Sequence, residues 1–104
     1  MKLSDLISGL QYEKKLNFED IEITGISYNS KTTRQGDIFV CLVGEHSDGH
    51  EYFKNAQEAG ASAFLTEKEL DTNLPQIIVD STRQKIANVA DKFYDSPSKK
   101  LNLI

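Results

Sequence analysis

Two polar loops of this sequence contain residue types that can bind a ligand. The first loop runs from Tyr28 to Thr33 and contains Asn29, several hydroxyl groups and the cation Lys31. Hydroxyl and amide groups can recognise the donor and acceptor edge of a base or a sugar, and a lysine can contact a phosphate. Ordinary turns also favour asparagine and serine, so this loop by itself leaves a purely structural role open.

The second loop, Gly44 to His50, imitates a phosphate-binding loop. Its two glycines have the spacing of the motif G-x-x-x-x-G-K-[ST] and lie between an apolar segment and a helical one. However, His50 occupies the lysine position of the motif, and Glu51 occupies the position of its magnesium-binding hydroxyl. We therefore exclude ATP hydrolysis by this loop. Its backbone N–H groups can still support a less charged ligand, and the structural alternative is a tight turn in which Asp48 caps a helix.

Neither a metal site nor a catalytic pair emerges from the remaining reactive residues. His46, Asp48 and His50 match no known zinc spacing, so we expect no metal. Cys41 lies in an apolar run, which predicts a buried thiol rather than a nucleophile. Asp80 and Arg83 are predicted to lie where a strand ends and a helix begins, and a structural ion pair between them is possible. Spacing alone thus indicates a domain that binds a ligand without catalytic residues of its own.

Apolar segments of strand length precede both loops. Residues 21–28 alternate with a phase slip at Gly25, which predicts one bulged strand or two short strands. Residues 38–43 are continuously apolar, which predicts a strand covered on both faces. Two more strands are predicted at 61–66 and 77–79. Because ligands bind beyond the carboxyl ends of strands in open α/β sheets, the two loops are the expected binding positions.

Three helices are predicted to cover these strands. The first has apolar residues at helical spacing from Leu3 to Leu10, with Ser4 as its N-cap. The second has its inner face between Tyr52 and Ala59 and ends at Gly60. The third begins with a capping box from Ser81 to Gln84. The fold class is therefore α/β: a small layered domain with a mostly buried mixed sheet and flanking helices.

Composition and charge narrow the function classes further. The 104 residues suit one domain, in which residues 11–20 are predicted to form a polar connection. The 12 Lys and Arg against 16 Asp and Glu give a net charge of −4, which argues against a nucleic acid or an anionic membrane as the partner. No apolar run approaches the roughly 18 residues of a membrane span. The lone cysteine and the charged start predict a cytoplasmic protein.

Three motifs resemble the N-terminal domain of the Mur ligases. They are GISYNSK at 25–31, GDIFVCLVG at 36–44 and DGH at 48–50, and similar stretches at 80–83 and 93–101 extend the resemblance over almost the whole chain. The resemblance implies a three-domain enzyme of peptidoglycan synthesis, and hence of cell wall biogenesis, cell shape and cell division. Residues 1–98 would be its UDP-substrate-binding domain. Residues 99–104 would be a linker and the start of the ATP-binding central domain.

The activity implied for the full-length enzyme is an ATP-dependent peptide-bond ligation with ATP and magnesium as cofactors. The third residue of the stem peptide, diaminopimelate or lysine, would be added to UDP-N-acetylmuramoyl-L-alanyl-D-glutamate. The piece 1–104 alone is expected to bind neither cofactor and to be inactive. Three alternatives stay open: the related ligase that adds the terminal D-alanyl-D-alanine dipeptide, a free-standing domain that binds a nucleotide sugar or regulates, and a protein-interaction module.

The resemblance also assigns the UDP-sugar site to both loops. Asn29 and Lys31 occupy positions where the family commonly has aspartate and arginine, and both changes keep size or charge. The contacts of residues 45–47 are expected to be mainly through the backbone. The residues transferred by position are Tyr28, Asn29, Ser30, Glu45, His46 and Ser47.

Overall fold

A mixed five-stranded sheet lies between two layers of helices. The computed structural model describes residues 1–44 and 48–94. The order of the strands across the sheet is β1-β5-β4-β3-β2; strands β2 to β5 run parallel, and β1 is antiparallel to β5. This architecture confirms the predicted α/β class. The strands are β1 (Lys14–Leu16), β2 (Gly25–Ser27), β3 (Asp37–Val40), β4 (Ala63–Thr66) and β5 (Gln76–Ile78).

Helices cover both faces of the sheet. Helices α1 (Leu3–Leu6) and α3 (Thr82–Tyr94) contribute to one core cluster, and α2 (Phe53–Ala59) contributes Ala56 to the other. A 3-10 helix, Gly49–Tyr52, leads directly into α2. Strand β3 is buried on both faces, as its continuous apolar run predicts, because its side chains alternate between the two clusters. No helix in the described part of the chain is long and apolar enough to cross a membrane.

The opening helix is shorter than predicted, and Ser4 is not its N-cap. Lys2 occupies the N-cap position without a side-chain hydrogen bond. Ser4 lies inside the helix, where its backbone N–H donates to Oδ1 of Asp20 at 3.0 Å. The Asp20 carboxylate, 16 residues away in the sequence, therefore accepts from a backbone N–H in the first turn of the helix. A local capping rule does not predict so distant a partner. The predicted apolar face is confirmed, since Leu3 and Leu6 are fully buried.

The predicted polar connection 11–20 contains the edge strand β1. It pairs with residues 76–78, yet Lys14 and Lys15 are exposed and Leu16 is only half-buried. Lysines are common on edge strands, where they discourage pairing with other chains. The strand therefore lacks the apolar alternation from which strands are predicted.

Strand limits also differ from the prediction around the two loops. Strand β3 ends at Val40, although the N–H of Cys41 still donates to Leu65 O at 2.9 Å. Residues 21–28 contain one short strand and a separate bridge, which is nearer to the predicted two short strands than to one bulged strand. Glu22 forms an isolated bridge with Lys2, and β2 starts only at Gly25.

The predicted caps of α2 and α3 are confirmed. Gly60 ends α2 with φ +114°, and a Cβ there would lie 2.6 Å from Cα of Gln35. At the start of α3, the N–H of Gln84 donates to Ser81 Oγ at 3.3 Å, which is one of the two hydrogen bonds of a capping box. The predicted linker, 99–104, lies outside the described residues.

Candidate functional site

A cleft of about 420 Å³ opens at the carboxyl ends of β2 and β3. The first loop contributes all three of its predicted site residues, and the second loop contributes both of its glycines. The start of α3 and the 3-10 helix complete the walls. The lining residues are Tyr28, Asn29, Ser30, Lys31, Phe39, Leu42, Gly44, Gly49, Tyr52 and Arg83.

Local hydrogen bonds shape the first loop. Oδ1 of Asn29 accepts from the N–H of Lys31 at 2.9 Å, the arrangement of an Asx turn. The carbonyl oxygen of Asn29 accepts from the hydroxyl of Thr33 at 3.0 Å, and Thr33 in turn bonds to Ser27 Oγ at 3.0 Å. The turn therefore fixes the backbone around Ser30. The Oδ1 atom of Asn29 is therefore already engaged in a hydrogen bond within the loop.

Asp48 caps the 3-10 helix, as the structural alternative predicts. Its Oδ1 accepts from the N–H of His50 at 2.9 Å, and its backbone pairs with Val43 in an isolated bridge. The N–H of Gly49 donates to Leu42 O at 2.7 Å, and a Cβ at Gly49 would lie only 2.8 Å from Leu42 N. This close approach explains the glycine. The predicted site residues Glu45, His46 and Ser47 lie outside the described residues.

His50 is a buried structural residue. Its side chain is 3% exposed, its Nδ1 lies 2.6 Å from Oδ1 of Asp48, and its Nε2 accepts from the N–H of Glu67 at 2.9 Å. Both ring nitrogens are therefore occupied. Residues 1–44 and 48–94 contain no group of three or more metal-ligating side chains.

The described part of the second loop does not fit ATP and magnesium. The position that a phosphate loop gives to its lysine holds the buried ring of His50, and Asp48 adds a carboxylate that caps the same turn. These two residues support the exclusion of ATP from the second loop.

Arg83 is a cleft residue that the sequence did not indicate as one. Its Nη2 donates to Val43 O at 3.1 Å, so the first turn of α3 reaches the loop after β3. The predicted ion pair between Asp80 and Arg83 is wrong, because Asp80 lies 3.9 Å from Nζ of Lys85 instead. The sequence signal for Arg83 as a cleft residue is its position as a cation in the first helical turn after β5. The carboxyl end of β5 lies at the same edge of the sheet as the carboxyl ends of β2 and β3.

The chemistry of the cleft combines cations with exposed aromatic rings. Lys31 and Arg83 both line it, and guanidinium and ammonium groups bind phosphate. Tyr28 and Tyr52 are 62% and 44% exposed, so their rings are available to stack on a flat ligand. Cys41 is not a nucleophile, because burial raises the pKa of its thiol to about 12.

A family model described as the Mur ligase family, catalytic domain, matches residues 22–94. The chain belongs to the Mur ligase family. The resemblance predicted from the motifs is therefore confirmed. Among curated Mur ligases, it is 42% identical to the UDP-N-acetylmuramoyl-L-alanyl-D-glutamate--2,6-diaminopimelate ligase of Bacillus velezensis, over 100% of this chain and 21% of that protein. The ligase of the same name from Clostridioides difficile is also 42% identical, over 100% of this chain and 22% of that protein.

Solved Mur ligase structures share the fold. MurF from Acinetobacter baumannii superposes with a TM-score of 0.76 at 21% identity, covering 88% of this chain and 20% of that one. MurF ligase from Thermotoga maritima, in complex with ADP, superposes with a TM-score of 0.61 at 29% identity, over 75% of this chain and 18% of that one. The chain thus spans about a fifth of the length of the Mur ligases that it matches.

Proposed function

We propose that this chain anchors the uridine diphosphate end of UDP-N-acetylmuramoyl-L-alanyl-D-glutamate for a ligase that adds the third stem residue. The observation that carries the proposal is the cleft, which gathers Ser30, Lys31 and Arg83 at the carboxyl ends of neighbouring parallel strands. The identity of the substrate in this proposal is taken from the names of the relatives.

The proposal gives each part of the cleft a role. Lys31 and Arg83 bind the diphosphate, because they are the cations that line the cleft among the described residues. Tyr28 and Tyr52 offer rings on which the uracil can stack. The predicted site residues Asn29 and Ser30 hydrogen-bond to the ribose or the diphosphate. Residues 45–47 contact the ligand mainly through their backbone.

Anchoring contributes to the reaction by position. In the whole protein, ATP with magnesium would phosphorylate the D-glutamate carboxylate of the substrate and leave ADP, and an amine would then displace phosphate from the acyl phosphate. Binding the remote nucleotide end holds the reactive carboxylate where the other domains act on it. This chain supplies the anchoring contacts and none of the phosphate chemistry.

The amino acid added by the whole protein is diaminopimelate in this proposal. Eight relatives that are 34–42% identical carry diaminopimelate in their names, although that choice is made outside this chain. The superpositions on MurF at 21–22% identity show the fold alone and do not favour the dipeptide-adding alternative. Sequence similarity therefore favours the third-residue ligase.

Location and domain arrangement complete the proposal. We place the protein in the cytoplasm, where a buried cysteine remains reduced. Residues 1–98 form the UDP-substrate domain, and the chain from residue 99 leads into an ATP-binding domain.

A backbone-amide NMR titration with UDP-N-acetylmuramoyl-L-alanyl-D-glutamate tests the proposal. We expect saturable shifts at Ser30, at residues 45–47 and at Arg83, and no saturable shifts with ATP. Absence of shifts at millimolar substrate, or equal shifts with ATP, would contradict it. A free-standing nucleotide-sugar domain would show the same shifts with UDP-N-acetylglucosamine, with no gain in affinity from the muramoyl dipeptide.

A further inference from the structure

A closed ring of contacts surrounds one wall of the cleft. Val43 pairs with Asp48, whose carboxylate contacts His50, whose ring bonds to the backbone of Glu67. From there the ring continues through the start of α3 and returns to Val43 through Arg83, which donates to the carbonyl oxygen of Val43. Three separate parts of the chain are thereby held together at the ligand-binding edge.

Glu67 is the link between His50 and helix α3. Its Oε2 accepts from the N–H of Thr82 at 2.9 Å and lies 2.9 Å from the hydroxyl of Thr82. That hydroxyl donates to Cys41 O at 2.8 Å. Glu67 therefore satisfies the first turn of the helix that carries Arg83, and a carboxylate at a helix N-terminus is itself favourable.

The ring of His50 has a defined tautomer in this arrangement. Nε2 accepts a hydrogen bond from a backbone N–H, which can only donate, so Nε2 carries no proton. Nδ1 therefore carries the proton and donates to Asp48. A second proton on the ring would place the N–H of Nε2 against the N–H of Glu67.

We propose that the neutral ring of His50 is a positioning residue, which sets the place of Arg83 in the cleft through Glu67 and Thr82. The inference rests on the proposed function for the identity of the ligand. Protonating His50 breaks the bond to Glu67, displaces the carboxylate that caps α3 and moves Arg83 away from the diphosphate.

The charged groups around His50 act in opposite directions. The Asp48 carboxylate attracts a positively charged imidazole. A second carboxylate belongs to Glu67, whose backbone N–H bonds to that imidazole. Lys68, which lies close enough to lower the pKa of Asp48, opposes a second positive charge. Neither carboxylate removes the conflict at Nε2, since the Glu67 group that faces it is a backbone donor. We therefore expect protonation of His50 to break the ring of contacts at the hydrogen bond between Nε2 and the N–H of Glu67.

The test is the pH profile of substrate affinity in the wild-type chain and in His50→Gln. UDP-N-acetylmuramoyl-L-alanyl-D-glutamate is a suitable probe, because its diphosphate is esterified at both ends and its carboxyl groups ionise below about pH 5. We expect wild-type affinity to fall at least fivefold across the pH range in which the NMR signals of the His50 ring show it gaining its second proton. His50→Gln keeps an acceptor and has no ionisable side chain, so its affinity should vary less than twofold over the same range. His50→Ala should bind weakly throughout that range.

NMR of the ligand-free chain separates this inference from the proposed function. The His50 ring signals, identified by their loss in His50→Gln, should show a proton on Nδ1 at pH 7.5. The amides of Glu67, Thr82 and Arg83 should shift together with that ring on acidification. A proton on Nε2, or amides that ignore the ring, would overturn the inference. Coupled amides in a chain that binds no substrate would leave the positioning of α3 by His50 intact and overturn the proposed function instead.

Discussion

Arg83 donates from Nη2 to the carbonyl oxygen of Val43 at 3.1 Å, which joins the first turn of α3 to the loop after β3. The remaining donors of the guanidinium lie at a cleft that also contains Lys31. An arginine side chain that is already held by a carbonyl oxygen loses less conformational entropy when a phosphate binds. The relationship gives Arg83 a stronger expected effect on binding than an exposed cation without such a hydrogen bond.

Replacing Arg83 by methionine should weaken substrate binding at least tenfold. A hydrogen bond to a charged group contributes about 1.5–3 kcal/mol, and each 1.4 kcal/mol is about a tenfold change in affinity. Calorimetric titration with the UDP-linked dipeptide measures the loss. Lys92→Met is the matched control, since it removes an exposed cation from the last turn of the same helix. Equal losses in the two variants would mean that only the overall charge matters.

Ser30 and Ser27 should respond to alanine in different ways. Ser30→Ala should lower affinity about fivefold, the effect of one hydrogen bond of about 1 kcal/mol, and leave stability nearly unchanged. Ser27→Ala removes the buried bond to Thr33 and should lower the free energy of unfolding by about 1 kcal/mol. Urea unfolding and substrate titration of both variants separate the effects. A large stability loss in Ser30→Ala would assign that serine to the loop structure alone.

Gly49→Ala should damage both the fold and the cleft. The added Cβ would lie 2.8 Å from Leu42 N, and overpacking of this kind costs about 1–3 kcal/mol. Gly9→Ala is the comparison: its φ of +81° strains an alanine, but nothing lies within 4 Å of the new Cβ. Thermal unfolding should show a loss in both variants. Only Gly49→Ala should also lose substrate affinity, and intact binding in that variant would show that the turn can shift without cost.

Acid should destabilise the chain through Asp48. Partial burial raises the pKa of its carboxyl, but the N–H and ring of His50 outweigh that effect and hold the pKa below its usual range. A lowered pKa in the folded state adds stability above the unfolded value of about 4, and that stability disappears as the pH falls through the folded value. Asp48→Asn keeps the cap without titrating, so its stability should decline less between pH 5 and pH 2.

Urea unfolding at several pH values checks this dependence. Asp71→Asn, a change at an exposed loop carboxylate, serves as the control and should keep the wild-type decline. If Asp48→Asn and wild type lose stability in parallel, the acid sensitivity lies elsewhere.

The Cys41 thiol should resist modification in the folded chain. Burial raises its pKa to about 12, so almost no thiolate forms at pH 8, and the thiolate is the reactive species. Mass spectrometry after iodoacetamide treatment should find the native chain unmodified and the urea-unfolded chain fully alkylated. Rapid alkylation under native conditions would place the thiol at an accessible surface.

Local sequence patterns predicted most elements around the cleft. The apolar run before Gly44 predicted a strand buried on both faces, and Gly60 predicted the end of α2, because burial and left-handed backbone leave clear local signals. The edge strand β1 escaped prediction for the opposite reason. Its two lysines face solvent, and it is a strand because it pairs with residues 60 to 64 positions later.

The sequence by itself determined the α/β class and the family, because these depend on short motifs and on hydrophobic periodicity. It also predicted the two loops that line one cleft in the folded chain. Tertiary structure alone decided that Arg83 reaches Val43 rather than Asp80, and that His50 joins Asp48 to Glu67. Such contacts join residues up to 40 positions apart, and local spacing does not encode where the folded sheet brings them together.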